Sequence, residues 1–146
     1  MIRKAIVGDE FAIIELIKGL AEFEKALNEV TNTAENLHND LFVEKVCEAI
    51  VIEKDEKIVG FALYYTSYST WKGQCLYLED FYVLPELRSL GYGSLLFDYV
   101  VDVAKKRGVK RMDWQVLDWN EGAIKFYKKK GSTLDGEWIN GRLFFD

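Results

Sequence analysis

The sequence predicts an α/β fold in which a mixed, mostly antiparallel central sheet is flanked by helices. Three observations point there. Residues 48–53 and 57–65 are strand-length apolar runs joined through the charged turn Lys54-Asp55-Glu56, the signature of a hairpin. Residues 76–83 form a further apolar run that passes the chain's only proline, Pro85, and enters the glycine-spaced segment Arg88-Ser89-Leu90-Gly91-Tyr92-Gly93-Ser94. A helical pattern follows, and then a strand-like run over 109–117, so a strand–helix–strand unit supplies one parallel crossover in an otherwise hairpin-built sheet.

From the N-terminus, residues 2–7 read as a short first strand. Asp9 stands where it can cap a helix whose apolar residues Phe11, Ile14, Ile17, Leu20, Ala21 and Phe23 recur at helical spacing. Residues 31–39 are polar and hold a second short helix or an ordered loop. Residues 67–73 read as a loop before the long strand. In the helix that begins near Gly93, Leu95, Leu96, Tyr99, Val100, Val103 and Ala104 make one apolar face. Lys105, Lys106 and Arg107 complement its dipole, and Gly108 ends it. Asn120 caps a last helix to Lys130, which Gly131 stops. The tail over 133–145 reads as strand–turn–strand, with Gly136 and Asn140-Gly141 as turn signals. No repeat, low-complexity tract or linker interrupts the chain, so one domain over 1–146 is expected.

At 146 residues such a domain buries about 70% of its unfolded surface. With 49% hydrophobic and 29% charged residues it has the composition of an ordinary soluble protein. No apolar run approaches a membrane span, and Met1-Ile2-Arg3-Lys4 leads into no signal-peptide core, so a cytoplasmic protein without a membrane partner is expected. The net charge of −5 argues against a nucleic-acid surface, which needs a basic patch. Cys47 and Cys75 sit in apolar contexts as reduced thiols. His38 is the only histidine, so neither a cysteine–histidine nucleophile nor a histidine-rich metal site is indicated.

The chemistry concentrates between residues 76 and 94. A strand, a turn, a glycine-spaced loop and a helix N-terminus make an anion cradle, because glycine lets the backbone approach and the first helical N–H groups point at a phosphate. Leu96 stands where a dinucleotide fingerprint needs its third glycine, and no Lys-Ser or Lys-Thr pair completes a P-loop. Glu79 and Asp80 on the incoming strand put negative charge beside that phosphate, which favours a cation as second substrate.

The Arg88-x-x-Gly91-x-Gly93 spacing resembles the pyrophosphate loop of the GNAT N-acetyltransferases, which bind acetyl-coenzyme A (acetyl-CoA). Ile58-Val59-Gly60-Phe61-Ala62-Leu63-Tyr64-Tyr65, the strand over 76–83, and Trp119-Asn120-Glu121 followed by Phe126-Tyr127-Lys128 resemble one branch, the spermidine/spermine N-acetyltransferases and their thialysine-acetylating relatives. The likeness covers most of the chain, and residues 58–131 carry it most specifically. It implies the GNAT fold, direct acetyl transfer from acetyl-CoA to a primary amine of a polyamine, diamine or lysine-like molecule, and a homodimer. Protein lysine or N-terminal acetylation, or a non-catalytic acetyl-CoA sensor, are the alternatives. A sensor would need the loop but not Glu79, Asp80 and Tyr127.

On a regular strand the adjacent Glu79 and Asp80 face opposite sides, so one cleft receives both only if the strand bulges. The resemblance implies such a bulge, with Glu79 contacting the amine and draining its proton through water. By periodicity Tyr127 is a core residue beside Ile124. By resemblance it is the general acid that protonates the leaving thiolate. Asn120 is an N-cap to which the resemblance adds a cofactor contact. The resemblance also gives the backbone of Phe81, Tyr82 and Val83 to the pantetheine arm, and Ser89, Leu90, Gly91, Tyr92, Gly93 and Ser94 to the pyrophosphate. Arg88 either adds charge there or serves as a structural arginine at the helix entry. On the acceptor side the resemblance adds Phe23, Glu24, Trp71, Asp80 and Asp113. The polyamine enzymes carry tyrosine in place of Phe23, an acid in place of Ser69 and histidine in place of Asp113, so a shorter diamine or lysine-like amine is expected over spermine.

Overall fold

The computed structural model describes residues 1–145. One five-stranded sheet runs in the order β1 (Ile2–Lys4), β2 (Glu48–Lys54), β3 (Lys57–Ser69), β4 (Gly73–Val83), β5 (Met112–Asp113). The first three pairings are antiparallel and β4–β5 is parallel. The helices are α1 (Glu10–Phe23), α2 (Ala34–His38), α3 (Tyr92–Arg107) and α4 (Glu121–Lys129). The chain divides into two compact units, Met1–Trp114 and Gln115–Asp146. Among the described residues no helix is long and apolar enough to cross a membrane.

In the first unit α1 and α2 bring Ile13, Ile14, Leu16 and Leu37 against Ala49, Val51, Phe61 and Tyr82. Gly19 permits this approach, since a Cβ there would lie 3.1 Å from the Tyr82 hydroxyl. Leu96, Phe97, Val100 and Ala104 are the buried residues of α3, which packs on β2, β3 and β4. The α1 stripe is rotated from the one the sequence predicts. Phe11 is 65% exposed, while Ile13 and Leu16 are buried, because the helix covers the sheet from its second turn onward. Asp9 occupies the N-cap position but caps nothing with its side chain. Its carboxylate instead accepts from Arg3 at 2.7 Å and from the Ile6 N–H at 2.8 Å.

Three further expectations change. The loop predicted over 67–73 shrinks to residues 70–72, because β3 and β4 pair as far as Ser69 and Gly73. The strand predicted over 109–117 keeps two residues, Met112 and Asp113. The tail forms no strand among its described residues, and Trp138, Ile139, Leu143, Phe144 and Phe145 are all more than three-quarters exposed. A lone hairpin with no face to bury does not hold in water, whatever its alternation. In this second unit α4 is the one helix among the described residues. Asn120 caps it, its Oδ1 accepting from the Ala123 N–H at 3.2 Å.

Candidate active site

The site is built where β4 loses its regularity. Leu63 pairs with Asp80 but Tyr64 pairs with Leu78, so Glu79 is an extra residue, a β-bulge. Asp80 therefore shares the face of Leu63, which packs on the α1 core. Tyr77 pairs with Tyr65, two residues beyond Leu63, and lies on that same face. The bulge thus turns Tyr77 and Asp80 to one side with Glu79 between them. Asp113 joins them as the β5 partner of Tyr77.

Carboxylates crowd this face. Burial first, then the charges of Glu79 and Glu24, pushes the Asp80 carboxyl up to about 7. Glu24 lies at the C-terminal end of α1, its own carboxyl raised by burial. The Tyr65 and Tyr77 rings stack at 5.3 Å. Burial first, then Glu79, Tyr65, Asp113 and Asp80, lifts the Tyr77 phenol to about 12. Asp113 accepts from the Arg111 Nε at 2.8 and 3.0 Å. An aromatic floor under several carboxylates is a receptor for an alkylammonium ion.

The cofactor loop lies beside these acids. Ser89 and Gly91 have φ of 72° and 85°, in the left-handed region where glycine is at ease and serine is not. A Cβ on Gly91 would meet nothing within 4 Å, so the space before the loop is open. The N-cap of α3 is Gly91, which has no side chain to cap the helix, and α3 begins at Tyr92 with Gly93 and Ser94 in its first turn. Pairing of β4 with β5 ends at Tyr77 and Asp113, so Phe81, Tyr82 and Val83 are paired on the β3 side only. An uncapped helix start suits a pyrophosphate, and an open strand edge suits an amide-bearing arm. Acetyl-CoA carries both groups.

Arg88 is held by the protein. Its guanidinium lies 5.3 Å from the Phe23 ring centroid and 5.2 Å from that of Tyr82, and its Nε donates to the Val83 carbonyl at 3.4 Å. It joins the loop to the end of α1 beside Glu24. Trp71 is not brought to the acids. It is 87% exposed at the β3–β4 turn, because β3 continues to Ser69 and carries the tip about 20 Å along the strand from Leu63. Leu90 is 60% exposed and Tyr82 is buried. In the second unit Tyr127 is buried in α4, and its carbonyl accepts from the Ser132 hydroxyl at 2.8 Å. The sequence reading missed Tyr65, Tyr77 and Arg111. Tyr77 was discoverable two positions before Glu79, but its stacking on Tyr65 depends on a register that spacing does not give. Among the described residues no group of acids, cysteines or histidines could hold a metal ion.

Known proteins resemble this chain in sequence and in fold. The model of the acetyltransferase (GNAT) family matches residues 15–131. The chain is 42% identical over 141 residues to thialysine N-epsilon-acetyltransferase of Bos taurus, covering 90% of this chain and 83% of that protein. It is 39% identical to the Mus musculus protein of the same name, covering 97% and 91%. A possible acetyltransferase from Clostridium difficile shares the fold, with a TM-score of 0.82 at 21% identity over 99% of this chain and 98% of that one. The chain belongs to the GNAT acetyltransferase family and is an acetyl-CoA-dependent N-acetyltransferase.

Proposed function

We propose that this enzyme acetylates the primary amine of a small cation such as thialysine, another lysine-like amine or a short diamine. The observation that carries the reading is the bulge at Glu79, which sets Glu79 and Asp80 on one face beside Glu24 and the stacked tyrosines. The naming of the mammalian relatives for thialysine supports it. When bound, acetyl-CoA supplies an acetyl group already activated as a thioester.

The residues of this chain supply the rest. An alkylammonium near pKa ~10.4 must lose a proton before it can attack. Glu79, exposed at the bulge, draws the cation in and relays its proton through water. Asp80, near 7, is the carboxylate poised to exchange a proton at neutral pH. The Leu84 N–H donates to the Val59 carbonyl, so by alternation the Phe81 and Val83 backbones, not that of Tyr82, turn to the open β4 edge, where an N–H would stabilise a carbonyl oxygen that gains charge. By its likeness to the family motif Tyr127 would supply the proton that the leaving thiolate needs, and Asn120 caps the start of that helix.

Ser69 sits where the polyamine enzymes have an acid, and here its Oγ is taken up by the Trp71 and Lys72 N–H groups.

The proposal extends to a homodimer and a cytoplasmic location. The exposed apolar residues Trp138, Ile139, Leu143, Phe144 and Phe145 support self-association, and the two free thiols, Cys47 and Cys75, suit a reducing compartment. Sedimentation of the purified enzyme tests the first and microscopy of a tagged chain the second. The central test is thiol release from acetyl-CoA over a panel of thialysine, lysine, short diamines, spermidine, spermine and uncharged amines. Turnover should favour thialysine, lysine or a short diamine. Preference for spermine or for an uncharged amine, or no turnover of any amine by an enzyme that binds acetyl-CoA, would overturn the reading.

A further inference from the structure

We infer that Arg111 and Asp113 bind the α-amino-acid head group of the acceptor, so that the enzyme selects a lysine-like amino acid over the diamine of equal length. The inference rests on the acceptor site proposed above and narrows it to one substrate class.

The charges on this face follow an order. Glu79 lies two residues along β4 from Tyr77, and Asp113 is the β5 partner of Tyr77. Two residue steps and one strand spacing put the Glu79 and Asp113 backbones about 8 Å apart. The Arg111 side chain reaches along β5 to Asp113, which sets its guanidinium beside the second acid. Outward from the reacting end the charges are an acid, then an acid paired with a base.

A lysine-like molecule presents the complementary sequence. Its reacting ammonium is separated from the α-carbon by about 6 Å of extended chain, and the α-ammonium and α-carboxylate branch there. The first ammonium meets Glu79 and Asp80, the alkyl chain crosses the Tyr77 ring, and the α-ammonium meets Asp113. The α-carboxylate meets Arg111, whose contact with Asp113 uses Nε and leaves both Nη groups without a partner among the described residues. Guanidinium Nη donors are suited to a carboxylate. A diamine of the same length gains nothing from Arg111, and its second ammonium is repelled by it. A tri- or tetra-amine meets the same positive charge with every further nitrogen. Arg111 is half-exposed at the rim, where an incoming head group can reach it.

Lysine and 1,5-diaminopentane differ only by the carboxylate, and comparing their kcat/KM isolates the contribution of Arg111. The parent enzyme should prefer lysine by about tenfold to a hundredfold, the range of a hydrogen-bonded charge pair. Arg111→Gln should lose that preference, with lysine efficiency falling through KM and diamine efficiency rising. Arg111→Lys should restore part of it. A parent that uses both equally or prefers the diamine overturns the inference while leaving the small-amine reading intact. A parallel fall for both substrates in Arg111→Gln, or an unchanged ratio, assigns Arg111 to structure and also overturns it. Turnover of neither by the parent overturns this inference and the acceptor site beneath it together. The parent comparison stands even if a variant fails to fold.

Discussion

Replacing Asp80 with asparagine should make the protein more stable and the enzyme much slower. The carboxyl is displaced from 3.8 to about 7 by burial and by Glu79 and Glu24. Between those values the folded protein holds a proton that the unfolded chain has lost. This group therefore contributes stability that is fully present below pH ~4 and lost as pH rises through about 7. Carrying it ionised at pH 8 costs the folded state up to about 4 kcal/mol. Asparagine keeps the shape and removes that cost. Asp80→Asn should raise stability at pH 8 by about 2–4 kcal/mol, or roughly 5–12 °C in Tm for a chain of this size, and add little at pH 4. Its kcat/KM should fall by about 10²–10⁴, as when a general base is lost, and that of the parent should rise with pH through about 7. Denaturant melts at the two pH values and a pH–rate profile measure all three. A variant that is less stable at pH 8, or that turns over at the parent rate, would refute the electrostatic argument.

Gly93→Asp adds a charge in the first turn of α3, where a Cβ meets only the Phe81 ring at 3.8 Å. It should leave the helix as stable or better but weaken acetyl-CoA binding by about tenfold or more, since a like charge ~5 Å from the pyrophosphate is repelled; calorimetry showing unchanged affinity would remove the loop from the cofactor site. Tyr127→Phe should lower kcat by about 10²–10⁴ with Tm little changed, and parent-like turnover would leave Tyr127 a core residue. Glu56→Gly, at φ of 65° in the β2–β3 turn, should stabilise by about 0.5–1 kcal/mol, because glycine takes the left-handed region without strain. An unchanged or lower denaturation midpoint would argue against that turn geometry.

What the sequence made legible was mostly local. The β2–β3 hairpin, α3 with its basic last turn and the Asn120 cap are written in short-range chemistry, and the structure has all three. The glycine loop was legible because a left-handed Gly91 and an uncapped helix start follow from residue types in order. The failures needed a partner that no window contains. The turn signals Gly136 and Asn140-Gly141 suggested strand–turn–strand over 133–145, but a turn makes a hairpin only where its flanks have a face to bury. Phe11 fits a helical stripe, yet which stripe is buried depends on where α1 meets the sheet. Trp71 was placed on the acceptor side by resemblance alone, and the two extended strands carry it to their tip. Arg111 and Tyr65 acquire meaning only through the registers that set them beside Asp113 and Tyr77.

The single inserted residue at Glu79 explains why acceptor and cofactor features lie side by side. In an unbroken strand, Glu79 would share the face of Tyr77, and Asp80 would turn towards α3, into the packing that Leu78 and Leu96 fill. A carboxylate there would meet only apolar side chains, and its burial would cost far more than it does beside solvent and a cation. With the insertion, Asp80 turns to the α1 face and joins Glu24 and Tyr77. A bulge also sharpens the local twist, which accounts for β5 leaving β4 immediately after the Tyr77–Asp113 pair. The backbone edge freed by that departure begins at the acids. One irregularity therefore gathers the carboxylates that bind a cation and bares the N–H groups that an acyl donor needs, within a few residues of each other.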